Sequence, residues 1–87
     1  MGAQVNWPEW WEWELEIDEH VESRMGDRDF DELDLREMLE SATGFSRNWR
    51  PGRWHIHTRW RRGKWTIVVE PDPEAQRLAV VTAFPLE

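Results

Sequence analysis

The sequence contains no cysteine. A disulfide framework and a thiolate metal site are therefore excluded. No apolar run approaches the roughly 20 residues that a membrane-spanning helix needs. The first residues, Met1 to Asn6, carry neither a basic n-region nor an apolar h-region. No signal peptide is expected, and the cytoplasm is the expected compartment. Internal repeats and low-complexity linkers are also missing. At 87 residues the chain is short enough for one domain. Such a chain buries only roughly 60–65% of its unfolded surface. What it has in abundance is tryptophan, eight residues in all, within an apolar content of 39%. The composition divides into a Trp-rich tail, 1–11, and a single domain, 12–87.

The net charge of −7 hides a division. Residues 1–43 carry 14 acidic and three basic side chains. Residues 44–70 carry seven basic side chains (Arg47, Arg50, Arg53, Arg59, Arg61, Arg62 and Lys64) against Glu70. The overall acidity argues against an indiscriminate nucleic-acid binder, because the long-range field repels phosphate. A local cationic stripe on an acidic body remains compatible with a selective phosphate site. It is equally compatible with an acidic helical half lying beside a basic sheet half.

Trp11, Trp13, Leu15 and Ile17 alternate with Glu12, Glu14 and Glu16. Period two predicts a strand with its glutamates in solvent. Asp18 offers an N-cap for a short helix over 18–25. Asp31 caps a second helix, whose Leu35, Met38, Leu39 and Ala42 follow helical spacing up to a stop at Gly44. The sequence then turns to β. A short strand over 45–49 leads to a Pro51-Gly52 turn. The strand 53–60 follows, with a loop at 61–64 where Gly63 is available for positive φ. The strand 64–70, a turn at 71–74 and the strand 77–84 complete the chain. The last two strands are apolar on both faces and are expected at the sheet centre. The predicted class is α+β: the order β-α-α followed by three or four antiparallel strands, with the two helices on one face of the meander.

Side chains two apart on a strand share a face. Arg53, His55, His57 and Arg59 therefore form one row, extended by Arg61 and Arg62. Arginine grips phosphate with a planar fork, and histidine moves protons near neutral pH. Those are the groups that RNA cleavage without a metal needs. The plainer reading of the same row is the solvated face of an antiparallel sheet. His55 and His57 could also chelate zinc, but further ligands are not legible and the arginines repel a dication; neither metal nor cofactor is expected. His20 and Arg24 share a helix face, at the edge of a phosphate site or in plain surface ion pairs. Thr82 is a hydroxyl inside an apolar strand, a ligand contact or simply a strand former. The tryptophans read as core and cross-strand pairs, or as an exposed stacking surface.

His20-x-x-x-Arg24-Met25-x-x-Arg28, Phe30, Asp34-Leu35-x-x-Met38-Leu39, Gly52-Arg53-Trp54, Trp65-x-Ile67-Val68-Val69-Glu70-Pro71-Asp72 and Val80-Val81-Thr82-Ala83 together carry a resemblance. Over roughly residues 12–85 the chain resembles a bacterial family of unknown function within the RelE/ParE-like toxin superfamily, part of the barnase, EndoU, colicin and RelE group of folds. The resemblance implies a RelE-like α+β fold, two N-terminal helices packed on a curved antiparallel sheet of four or so strands, with any active site on the concave sheet face. It implies a metal-independent endoribonuclease of a toxin–antitoxin system, acting on RNA, often ribosome-bound mRNA, and neutralised by a cognate antitoxin. His20, Arg24, Arg59 and Thr82 occupy the matching positions. The expected roles are acid–base chemistry and catalysis for His20, His55, His57, Arg59 and Thr82. Arg24, Arg53, Arg61 and Arg62 are expected to bind substrate, in a monomer or homodimer. The alternatives are a non-catalytic protein-binding domain of the same fold and a gyrase-directed toxin.

Overall fold

The computed structural model describes residues 6–17, 19, 21–23 and 30–86. Five strands build one mixed sheet: β1 (Glu14–Ile17), β2 (Gly44–Arg47), β3 (Trp54–Trp60), β4 (Gly63–Asp72) and β5 (Arg77–Leu86). Their order across the sheet is β1-β5-β4-β3-β2. β2 to β5 form an antiparallel meander, and β1 lies parallel to β5.

This corrects the expected architecture of two helices on an antiparallel sheet of about four strands. The molecule is mostly β, and among the described residues one helix reaches seven residues or more, α1 (Glu32–Glu40). Period two identifies a strand but not the direction of its partner, so the parallel β1–β5 pairing left no mark on the sequence pattern. The helix expected over 18–25 lies partly outside the described residues; Glu19 and residues 21–23 are helical.

β1 is shorter than the alternation suggests. Residues Glu9–Glu12 make a 3-10 turn, with the Trp11 N–H donating to the Pro8 carbonyl at 3.0 Å. The turn stacks Trp7 on Trp11 with ring centroids 4.0 Å apart. An extended chain would set residues four apart roughly 13 Å from each other, so the aromatic contact selects the turn.

β1 and β2 occupy opposite edges, so the intervening chain must cross one face of the sheet. α1 lies in that crossing. Asp31 caps it: its carboxylate accepts from the Asp34 N–H at 3.0 Å, and Asp34 reciprocates from the Asp31 N–H at 3.1 Å. The helix ends at Glu40 with Ser41 as its cap, earlier than the expected stop at Gly44, which instead begins β2. Leu35, Met38 and Leu39 project from α1 into the core. They meet Ile56, Trp65, Ile67, Val69, Leu78, Val80 and Ala83 of the sheet. Full burial of each large aliphatic side chain contributes about 1.5–3 kcal/mol. Trp7, Trp10, Trp11 and Trp13 pack against this core, half-buried.

The register assigns the two faces. Thr58 donates its hydroxyl to the Met38 carbonyl, so Trp54, Ile56, Thr58 and Trp60 face α1. His55, His57 and Arg59 then face away, beside Val68, Thr66 and Lys64 of β4. β4 is central with buried side chains on both faces, as its apolar composition predicts. The β3–β4 loop differs from expectation. Trp60 pairs with Gly63, which leaves a two-residue turn. Positive φ therefore falls on Arg61 (48°) and Arg62 (63°), not on Gly63. No helix among the described residues is long and apolar enough to cross a membrane.

Candidate functional site

The face of the sheet away from α1 gathers most of the chemistry. His55 and His57 are half-buried there, with ring centroids 6.4 Å apart and nearly perpendicular planes. Each ring is held by a partner from the neighbouring edge. Ser46 Oγ lies 2.9 Å from His57 Nε2. Asn48 Nδ2 lies 2.6 Å from His55 Nε2. The Asn48 carboxamide is oriented by a second bond, in which its Oδ1 accepts from the Arg50 N–H at 2.9 Å. Its Nδ2 therefore donates to His55, whose Nε2 must accept, and this requires the neutral Nδ1–H tautomer. The His55 lone pair is thus engaged. His57 faces a hydroxyl, which can donate or accept.

Beyond His57, β3 runs past the end of β2. There Arg59 stands opposite Lys64 in the β3–β4 register, and both are exposed. Like charges directly across a ladder destabilise it. Among the described residues no carboxylate pairs with either cation. His57, Arg59 and Lys64 share the wall of an open depression of about 440 Å³ with Thr43, Thr58, Trp65 and Leu86. Thr43 fixes the strand at this point, its N–H donating to the His57 carbonyl at 2.8 Å. One imidazole and two cations, with no counterion among the described residues, form a site suited to an anion.

The other expected residues are distributed. Arg53 is bound to Glu70, Nε to Oε1 at 2.9 Å, which neutralises it. Thr82 shares the face but lies in the row His55–Val68–Thr82, so Val68 separates it from the imidazoles. Arg61 stacks over the Trp60 ring, 4.1 Å from its centroid. Arg62 is exposed at the turn. His20 and Arg24 lie outside the described residues. Lys64, Ser46 and Asn48 were not singled out by spacing, because each reaches the histidine row through strand pairing rather than along β3.

A second hollow of about 240 Å³ lies between α1 and the N-terminal segment, lined by Trp11, Trp13, Leu15, Leu39 and Leu78 with Arg36 and Glu40. It is smaller than ordinary small-molecule sites and has no comparable group of cations. Among the described residues no three His, Asp or Glu side chains converge as a metal site. Comparisons with protein-family models, with curated proteins and with solved structures find no match.

Proposed function

We propose that this domain binds single-stranded RNA on the sheet face away from α1 and cleaves it without a metal. The observation that carries the reading is the grouping of His57 with Arg59 and Lys64, unpaired among the described residues, in one open depression. Arg59 and Lys64 hold the phosphate and offset the charge that builds on its oxygens. His57 takes the proton of the 2′-hydroxyl. The 2′-oxygen bonds to phosphorus, and the bond from phosphorus to the 5′-oxygen breaks. The 5′-oxygen takes a proton from water, leaving a 2′,3′-cyclic phosphate and a 5′-hydroxyl. His57 then releases its proton to solvent.

The test is incubation of a short single-stranded RNA with the protein in EDTA. The reading expects cyclic-phosphate ends from the wild type and none from His57→Ala, with the RNA still bound by the variant. RNA that stays intact on saturating wild-type protein would remove the catalytic step and leave a binding domain.

A further inference from the structure

The β2–β3 hairpin is the second place where cations and aromatic rings meet. Trp49 is 85% exposed, an unusual cost for the largest apolar side chain. The loop that carries it is nevertheless well fixed. The Asn48 N–H donates to the Arg53 carbonyl at 3.1 Å, and the Arg53 N–H to the Arg50 carbonyl at 3.2 Å. Gly52, at φ 86°, supplies the left-handed residue that the turn after Pro51 requires. Asn48 ties the loop to His55. The exposed indole is therefore presented by a prearranged loop.

Its neighbours are guanidinium groups. Arg50 lies over the Trp49 ring at 5.6 Å, and Arg47 over Trp54 at 5.5 Å. Residues 47–54 enclose a hollow of about 450 Å³ and contain no carboxylate; Arg53 is paired with Glu70, which leaves the cations of Arg47 and Arg50. A neutral apolar partner would have to strip water from those cations. A ligand with both a π-face and a negative charge satisfies ring and cations together.

We infer that the β2–β3 hairpin is a stacking platform for a base of single-stranded RNA, with Trp49 beneath the base and Arg50 on the adjoining phosphate. The inference rests on the RNA reading above and extends it along β3. Arg59 lies four residues from His55, which Asn48 ties to the loop, roughly 13 Å along the same face of β3, so one strand of RNA can engage both ends.

The experiment titrates the full chain with an oligoadenylate of roughly eight nucleotides, within the usual site size, and with an abasic strand of equal length and charge. Wild type should prefer the base-bearing strand by about fivefold or more. Trp49→Ala should bind both strands alike and keep the wild-type salt dependence. Trp49→Tyr should retain the preference. Because Trp49 is exposed, its replacement leaves the core untouched. An unchanged preference in Trp49→Ala would overturn the stacking inference and leave the RNA reading standing. Failure of wild type to bind either strand at low salt would overturn both. A polyglutamate peptide that binds as tightly as RNA, and is lost with Trp49→Ala, would overturn the inference by assigning the loop to an acidic protein partner.

Discussion

Arg59 and Lys64 face each other across the β3–β4 ladder without a carboxylate between them among the described residues. A ladder selected for stability alone would place opposite charges or β-branched residues there. Lys64→Thr should therefore stabilise the domain by about 0.5 kcal/mol. For a chain of this size that is a rise of roughly 2–4 °C in Tm. The same change should weaken RNA binding. Thermal unfolding and an RNA titration on one sample measure both.

The adjoining turn makes a related prediction. Arg62 adopts φ 63°, a conformation that costs a non-glycine residue about 1 kcal/mol. Arg62→Gly should raise Tm and remove one cation from the edge of the site. Gln76, at φ 52° in the β4–β5 turn, is the matched control. Gln76→Gly should raise Tm to a similar degree without changing RNA affinity. A loss of affinity in Gln76→Gly would show that relieving strain in a turn, rather than removing charge, alters binding.

α1 is fastened to β3 by the buried Thr58 hydroxyl, which donates to the Met38 carbonyl. That carbonyl also accepts from the Ser41 N–H at 3.2 Å, so it keeps a partner if the hydroxyl is removed. Thr58→Val should then cost about 1 kcal/mol. Denaturant unfolding checks this, with a shifted midpoint and an unchanged m-value. A loss several times larger would mean that the helix and sheet separate without this bond.

Phosphodiester cleavage inside a cell has a visible consequence. Induced expression of the wild type should arrest growth of a bacterial host, and His57→Ala and Arg59→Ala should each relieve the arrest at equal protein level. Growth curves with immunoblots measure this. Unimpaired growth at high wild-type abundance would favour the protein-binding alternative.

The legible parts of the fold are those that depend on local pattern. Asp31, Leu35, Met38 and Leu39 define α1 through a cap and a 3.6-residue period, and both survive in the structure. The alternation of Trp54, Ile56, Thr58 and Trp60 with His55, His57 and Arg59 gives the two faces of β3. What local pattern does not hold is partnership. The parallel placement of β1 beside β5 depends on residues more than sixty positions apart. The Trp60–Gly63 pairing decides that Arg61 and Arg62, rather than Gly63, carry positive φ. The site divides in the same way. His55 and His57 were visible as a row along one strand, whereas Lys64, Ser46 and Asn48 join them only through register. Arg53 shows the converse, since its spacing matches the row but Glu70 neutralises it.

The central claim is that the face bearing His57, Arg59 and Lys64 grips phosphate, and salt dependence tests it most directly. Each phosphate contact with a single strand contributes roughly −0.7 to the slope of log affinity against log salt concentration. The account predicts that binding of a short single-stranded RNA falls steeply between about 50 and about 200 mM salt. Arg59→Ala and Lys64→Ala should each lower both the affinity and the slope, by about one contact. Glu14→Gln, on the exposed side of β1, should leave the slope as it is. Wild-type binding that is equally weak at both salt concentrations, with Arg59→Ala silent, would contradict the account.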